Sequence, residues 1–88
     1  MSDSSETFKV DFSPDMTMSY LDRHGLLKFV FEVASERRPK TVFLYSGAVD
    51  ASLKDIPKSP ANRPRIDEAF NRVVKYLQSL GYEVDVID

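Results

Sequence analysis

The chain has no cysteine, no tryptophan, one histidine and three glycines in its 88 residues. Without cysteine there is no disulfide, no thiolate zinc centre and no thiol nucleophile. The lone histidine, His24, can be drawn on paper into a Ser-His-Asp triad with Ser46 or Ser52 and Asp50. Nothing in their spacing or context supports that arrangement, which only three-dimensional geometry establishes. The carboxylates Asp50, Asp55, Asp67, Glu68, Asp85 and Asp88 are scattered rather than clustered for a metal. Asp67 and Glu68 suit the positive end of a helix. The sequence therefore points to no catalytic residue, no metal and no cofactor. Long apolar runs are missing too: none could span a bilayer, and the N-terminal residues lack a basic-then-apolar signal. The expectation is a soluble, cytoplasmic protein with no membrane contact.

What is present is ordinary for a folded domain: 42% hydrophobic residues and 30% charged ones. A chain this short forms one domain and buries little more than about 60% of its unfolded surface, so its core is modest. Small domains without covalent staples depend on close packing or on a partner. Residues 1–6 are small and polar, and are expected to be a disordered tail before a single domain over 7–88. The net charge of -2 argues against nucleic acid as a partner. That charge is uneven, however. Residues 54–65 carry Lys54, Lys58, Arg63 and Arg65 against Asp55 alone.

Hydrophobic periodicity supplies the elements. Phe8, Val10 and Phe12 alternate with Lys9 and Asp11, the pattern of a strand with one buried face. Ser13, Pro14 and Asp15 suit a helix start. On a helical wheel Leu26, Leu27, Phe29, Val30, Phe31, Val33 and Ala34 fill one broad arc, so a helix is expected to run to Glu36 and stop at the proline of "ERRP". The alternative is a β-hairpin over 16–33: "MTMSYL" and "LLKFVFEV" also alternate, and "DRHG" suits the turn between them. "TVFLY" (41–45) is apolar on both faces and reads as an interior strand, followed by a proline-rich loop. Ile66, Ala69, Phe70, Val73, Val74, Leu77 and Leu80 then make one apolar helical stripe, ended by Gly81. "YEVDVI" is a last alternating strand.

Alternating strands and helices predict an α/β fold: a small three-stranded, mainly parallel sheet in β-α-β-α-β order 1-2-3, with two helices on one face. The hairpin reading gives an α+β fold instead. With both helices on one face, the middle strand leaves an apolar pair on the other, either Phe43 and Tyr45 or Val42 and Leu44. Lys9, Asp11, Glu83 and Asp85 flank that pair. An uncovered apolar strip marks an association surface. Phe43 and Tyr45 are the interface candidates. The expected function is non-catalytic protein-protein association, as a homodimer or with another protein partner.

One short stretch suggests chemistry. "YSGAVDASL" (45–53) resembles the signature of the PP-loop ATP pyrophosphatases, a strand followed by Ser-Gly-Gly-x-Asp-Ser and a helix. Ser46, Gly47, Asp50 and Ser52 stand at its serine, glycine, aspartate and trailing serine. Ala48 and Ala51 replace the second glycine and the serine after the aspartate, and Pro57 follows within about two helical turns. The resemblance implies a turn that cradles the pyrophosphate of ATP while an acceptor is adenylated. A broader expectation rests on topology, because open parallel sheets bind ligands beyond the carboxyl ends of their strands. There Lys58, Arg63 and Arg65 would join Ser46, Gly47, Asp50 and Ser52 around a phosphate. A phosphate-containing small molecule, a nucleotide included, is thus the alternative ligand class.

Overall fold

The segment open to two readings forms strands. The structure, a computed structural model, describes residues 7–34 and 40–87. It contains β1 (Lys9–Ser13), β2 (Thr17–Asp22), β3 (Gly25–Ala34), β4 (Thr41–Val49), α1 (Arg63–Ser79) and β5 (Glu83–Ile87). One sheet results, in spatial order β1-β2-β3-β4-β5. Its first four strands are antiparallel neighbours, and β5 runs parallel to β4. This overturns the expected three-stranded parallel sheet with two helices. The architecture is α+β, a five-stranded, mostly antiparallel sheet with one helix among the described residues.

The physical reason lies in β3. Leu27, Phe29 and Phe31 point to one face and are buried, whereas Leu26, Lys28, Val30 and Glu32 point to the other. Because the second face also carries Leu26 and Val30, the apolar positions widen into an arc that imitates a helix. Branched and aromatic side chains suit the pleated surface better. A tight turn then fixes the register: Asp22 pairs with Gly25, and the Asp22 carboxylate accepts the His24 amide at 2.8 Å. Gly25 takes φ 119°, a region that a side chain resists. Met16 closes the β1–β2 turn at φ 64°, a left-handed conformation that costs a non-glycine residue about 1 kcal/mol. The expected helix end at Glu36 and the expected tail over 1–6 lie outside the described residues.

β4 is interior, as its two apolar faces require. It runs beyond "TVFLY" to Val49, with an irregularity in its pairing between Phe29 and Phe31 of β3. On its other side β5 pairs with it from Thr41 to Tyr45 and no further. The chain itself covers what remains of that edge. Asp50 accepts the amides of Ser52 at 2.7 Å and Lys54 at 3.1 Å, reversing the backbone. Asp55 then bridges Val49, and the Ile56 amide donates to the Ala48 carbonyl at 2.9 Å.

α1 lies against one face of the sheet. Its buried residues Ile66, Ala69, Val73 and Leu77 close over Val10, Met18, Tyr20, Leu27, Phe29, Phe31, Val42, Leu44 and Ala48. Phe70 meets Phe29 edge-on at 5.4 Å. The helix ends where Gly81 (φ 93°) lets two amides fold back, Gly81 onto Gln78 at 3.0 Å and Tyr82 onto Leu77 at 3.2 Å. Leu80, expected as the last member of the apolar stripe, is instead 50% exposed, because it caps the helix beyond its last buried turn. The two leucines should therefore part company on truncation. Leu77→Ala should lower the unfolding free energy by about 3 kcal/mol and Leu80→Ala by less than about 1 kcal/mol, measured by urea denaturation.

Candidate functional site

Cross-strand register assigns each strand residue to a face, because directly opposed side chains point the same way. On the face away from α1, Leu21 opposes Leu26, Glu32 and Asp85 flank Phe43, and Tyr45 lies beside Ile87. Phe43 and Tyr45 are half-buried there, while Val30 is 38% and Leu21 49% exposed. Lys9 and Asp11 stand on the same face of β1, and Glu83 on the same face of β5, opposite Thr41. The Tyr45 hydroxyl donates to Glu32 Oε1 at 2.7 Å. That hydrogen bond to a carboxylate holds the phenol above its ordinary pKa and fixes the ring across two strands.

The residues expected around a phosphate occupy three settings. Ser46 and Gly47 lie within β4, which continues to Val49, and α1 begins only at Arg63. Asp50 and Ser52 meet in the turn after β4, where the carboxylate receives the Ser52 amide. Lys58 comes back over the strand and donates to Ser46 Oγ at 3.1 Å. Arg63 is exposed in the first turn of α1. Arg65 is turned to a different partner. Its guanidinium donates to Asp22 Oδ1 and to the Gly25 carbonyl, both at 2.9 Å.

This Arg65 clamp joins the first turn of α1 to the β2–β3 turn. The Asp22 side chain is only 2% exposed. Burial pushes its pKa up, but the Arg65 guanidinium, the His24 amide and the Tyr20 hydroxyl outweigh burial and leave it below the ordinary carboxylate value. Arg72 extends the contact, donating to the Tyr20 hydroxyl at 2.7 Å and lying 4.4 Å above the Phe8 ring. On the opposite face, Asp15 pairs with Lys28 at 2.7 Å and also accepts from the Thr17 hydroxyl. Lys28 and then Thr17 bring the Asp15 pKa down to about 2. Sequence marked Asp22 only as a turn residue. Its partner stands 43 positions along the chain, and no local pattern announces such a pair.

Among the described residues, no three His, Asp or Glu side chains are grouped to hold a metal ion. No helix among them is long and apolar enough to cross a membrane. No protein-family model matches the chain, and no curated protein and no solved structure matches it either.

The two depressed carboxyl groups make the fold acid-sensitive. A lowered folded-state pKa stabilises the protein above the unfolded value of 3.8, and that contribution fades as pH falls through the folded value, about 2 for Asp15. Thermal melts should hold steady from pH 7 to about pH 5 and then decline from about pH 4 to about pH 2, with a shallower decline in Asp15→Asn. Asp22→Ala, which leaves the Arg65 guanidinium without its carboxylate, should cost about 3 kcal/mol at neutral pH.

Proposed function

We propose that this chain is a protein-association domain whose contact surface is the sheet face away from α1. The observation that carries this reading is the adjacency of Phe43, Tyr45 and Ile87, with Val30 on the same side of the sheet, on a face that the helix does not cover. Interfaces divide their labour in this way, with aromatic residues at the centre and charges at the rim. Tyr45 suits the centre because its bond to Glu32 orders the ring before any partner arrives. The rim sets the partner's chemistry. Glu32, Asp85 and Glu83 are all acidic, so the surface fits a protein that presents apolar side chains edged by lysine or arginine. Aggregation of like faces is disfavoured by the same three carboxylates.

A photo-crosslinking residue in place of Tyr45, in the intact chain in its own cells, tests the surface. It should give a discrete heavier adduct, while the same group in place of Lys75, exposed on α1, gives none. Reversing the rim with Glu83→Lys and Asp85→Lys should reduce the Tyr45 adduct at least roughly tenfold. Equal adducts from both positions, or none from Tyr45, contradict the reading. Association through this face also leaves the melting temperature indifferent to phosphate and ATP, whereas a phosphate site on Ser46 and Lys58 would raise it.

A further inference from the structure

A five-stranded open sheet has two edges, and here their side chains differ in kind. β5 carries Glu83 and Asp85 on one face, a single sign repeated along a strand end. A second copy pairing antiparallel with it would set carboxylate against carboxylate. That edge rejects its own kind. β1, at the other end of the sheet, carries Lys9 and Asp11 two residues apart, one of each sign. Within the chain they pair with each other at 3.6 Å, and their side chains are 76% and 54% exposed. Phe8 and Phe12 alternate with them on the helix side and remain 42% and 43% exposed, although Phe8 stacks on Tyr20 at 5.7 Å and Phe12 packs on Phe31 at 5.5 Å. No described segment pairs with the outer edge of β1.

We infer that the β1 edge is a homodimer interface, in which two copies pair antiparallel about a two-fold axis through Val10. An isologous contact must be complementary to itself. In this register Lys9 of each copy opposes Asp11 of the other, and Phe8 opposes Phe12, giving two ion pairs and two aromatic pairs. The neighbouring axes fail on charge. An axis through Asp11 sets that carboxylate against its own copy, and an axis through Lys9 does the same with ammonium groups. A slip of one residue would face Phe8 and Phe12 into the wrong side of the sheet. The pairing continues the sheet across the axis, so both α1 helices lie on one side and both Phe43–Tyr45 faces on the other. This surface is distinct from the one proposed above, and a dimer would present that face twice, multiplying the avidity for a divalent partner.

Sedimentation equilibrium of the full chain tests the register by charge reversal. The protein should show a monomer–dimer equilibrium that Lys9→Asp and Asp11→Lys each weaken roughly tenfold, since either change turns attractive opposed pairs into repulsive ones. Mixing the two single variants should restore association, because every opposed pair is then oppositely charged. The double variant Lys9→Asp/Asp11→Lys should also associate. Tyr45→Lys should leave the dimer intact, which separates this contact from the open face. A monomer at every concentration overturns the inference, as does a dimer indifferent to the single reversals, a mixture that fails to recover, or a dimer lost in Tyr45→Lys. Both reversed side chains are exposed, so circular dichroism should report an unchanged fold in every variant.

Discussion

One helix covers one face of a sheet, and this chain has one described helix for five strands. α1, with 17 residues, is about 25 Å long and about 10 Å wide. It closes over the centre of one face, and no other described helix covers the second. The division is clearest in the middle of the sheet; nearer the strand ends Thr17, Thr41 and Val49 are buried on the uncovered face, and Val33 and Val86 are exposed on the helix side. In β3 it separates buried Leu27, Phe29 and Phe31 from Leu26, Lys28, Val30 and Glu32. The outer face therefore meets water. Polar contacts such as Tyr45 on Glu32 and Lys28 on Asp15 order it, while Val30 and Leu21 stay exposed.

What holds α1 to its chosen face is partly apolar and partly ionic. The Ile66, Ala69, Val73 and Leu77 stripe supplies the non-directional attraction. Direction comes from the ends. At the start, Arg65 ties the helix to Asp22 and the Gly25 carbonyl; at the finish, Gly81 turns the chain straight into β5. Between them Arg72 reaches the Tyr20 hydroxyl and covers Phe8, so the helix also organises the side chains beside the β1 edge. Core, clamp and edge thus share one helix, since Arg65, the buried stripe and Arg72 all lie on α1.

The parts legible in the sequence are those decided locally. The stripe of α1, the Gly81 stop and the alternation of β1 and β5 each follow from spacing alone. The parity of "TVFLY" put Phe43 and Tyr45 together on one face, whatever the strand's neighbours. The hairpin from Thr17 to Ala34 was ambiguous because Leu26 and Val30 lie on an open face yet are apolar, which blurred period two into a wide helical arc. Leu80 misled because helical spacing continues past the point where the last turn stops being covered. The stretch from Tyr45 to Leu53 resembles a phosphate-binding signature in its residue order, and the direction of the Asp50 carboxylate, toward the Ser52 and Lys54 amides, depends on backbone dihedrals that residue order does not encode. The Asp22–Arg65 pair needed the whole fold to bring its two halves together.

The claim on which the rest stands is that the two faces of this sheet differ in their access to water. Methyl-resolved NMR of dilute protein with a neutral, soluble gadolinium chelate measures that access residue by residue. Val30, Leu21 and Ile87 should broaden strongly, while Leu27, Leu44 and Val73 stay sharp. Protection of Val30 and Ile87 equal to that of Leu44 would mean that both faces are covered, and would contradict the account.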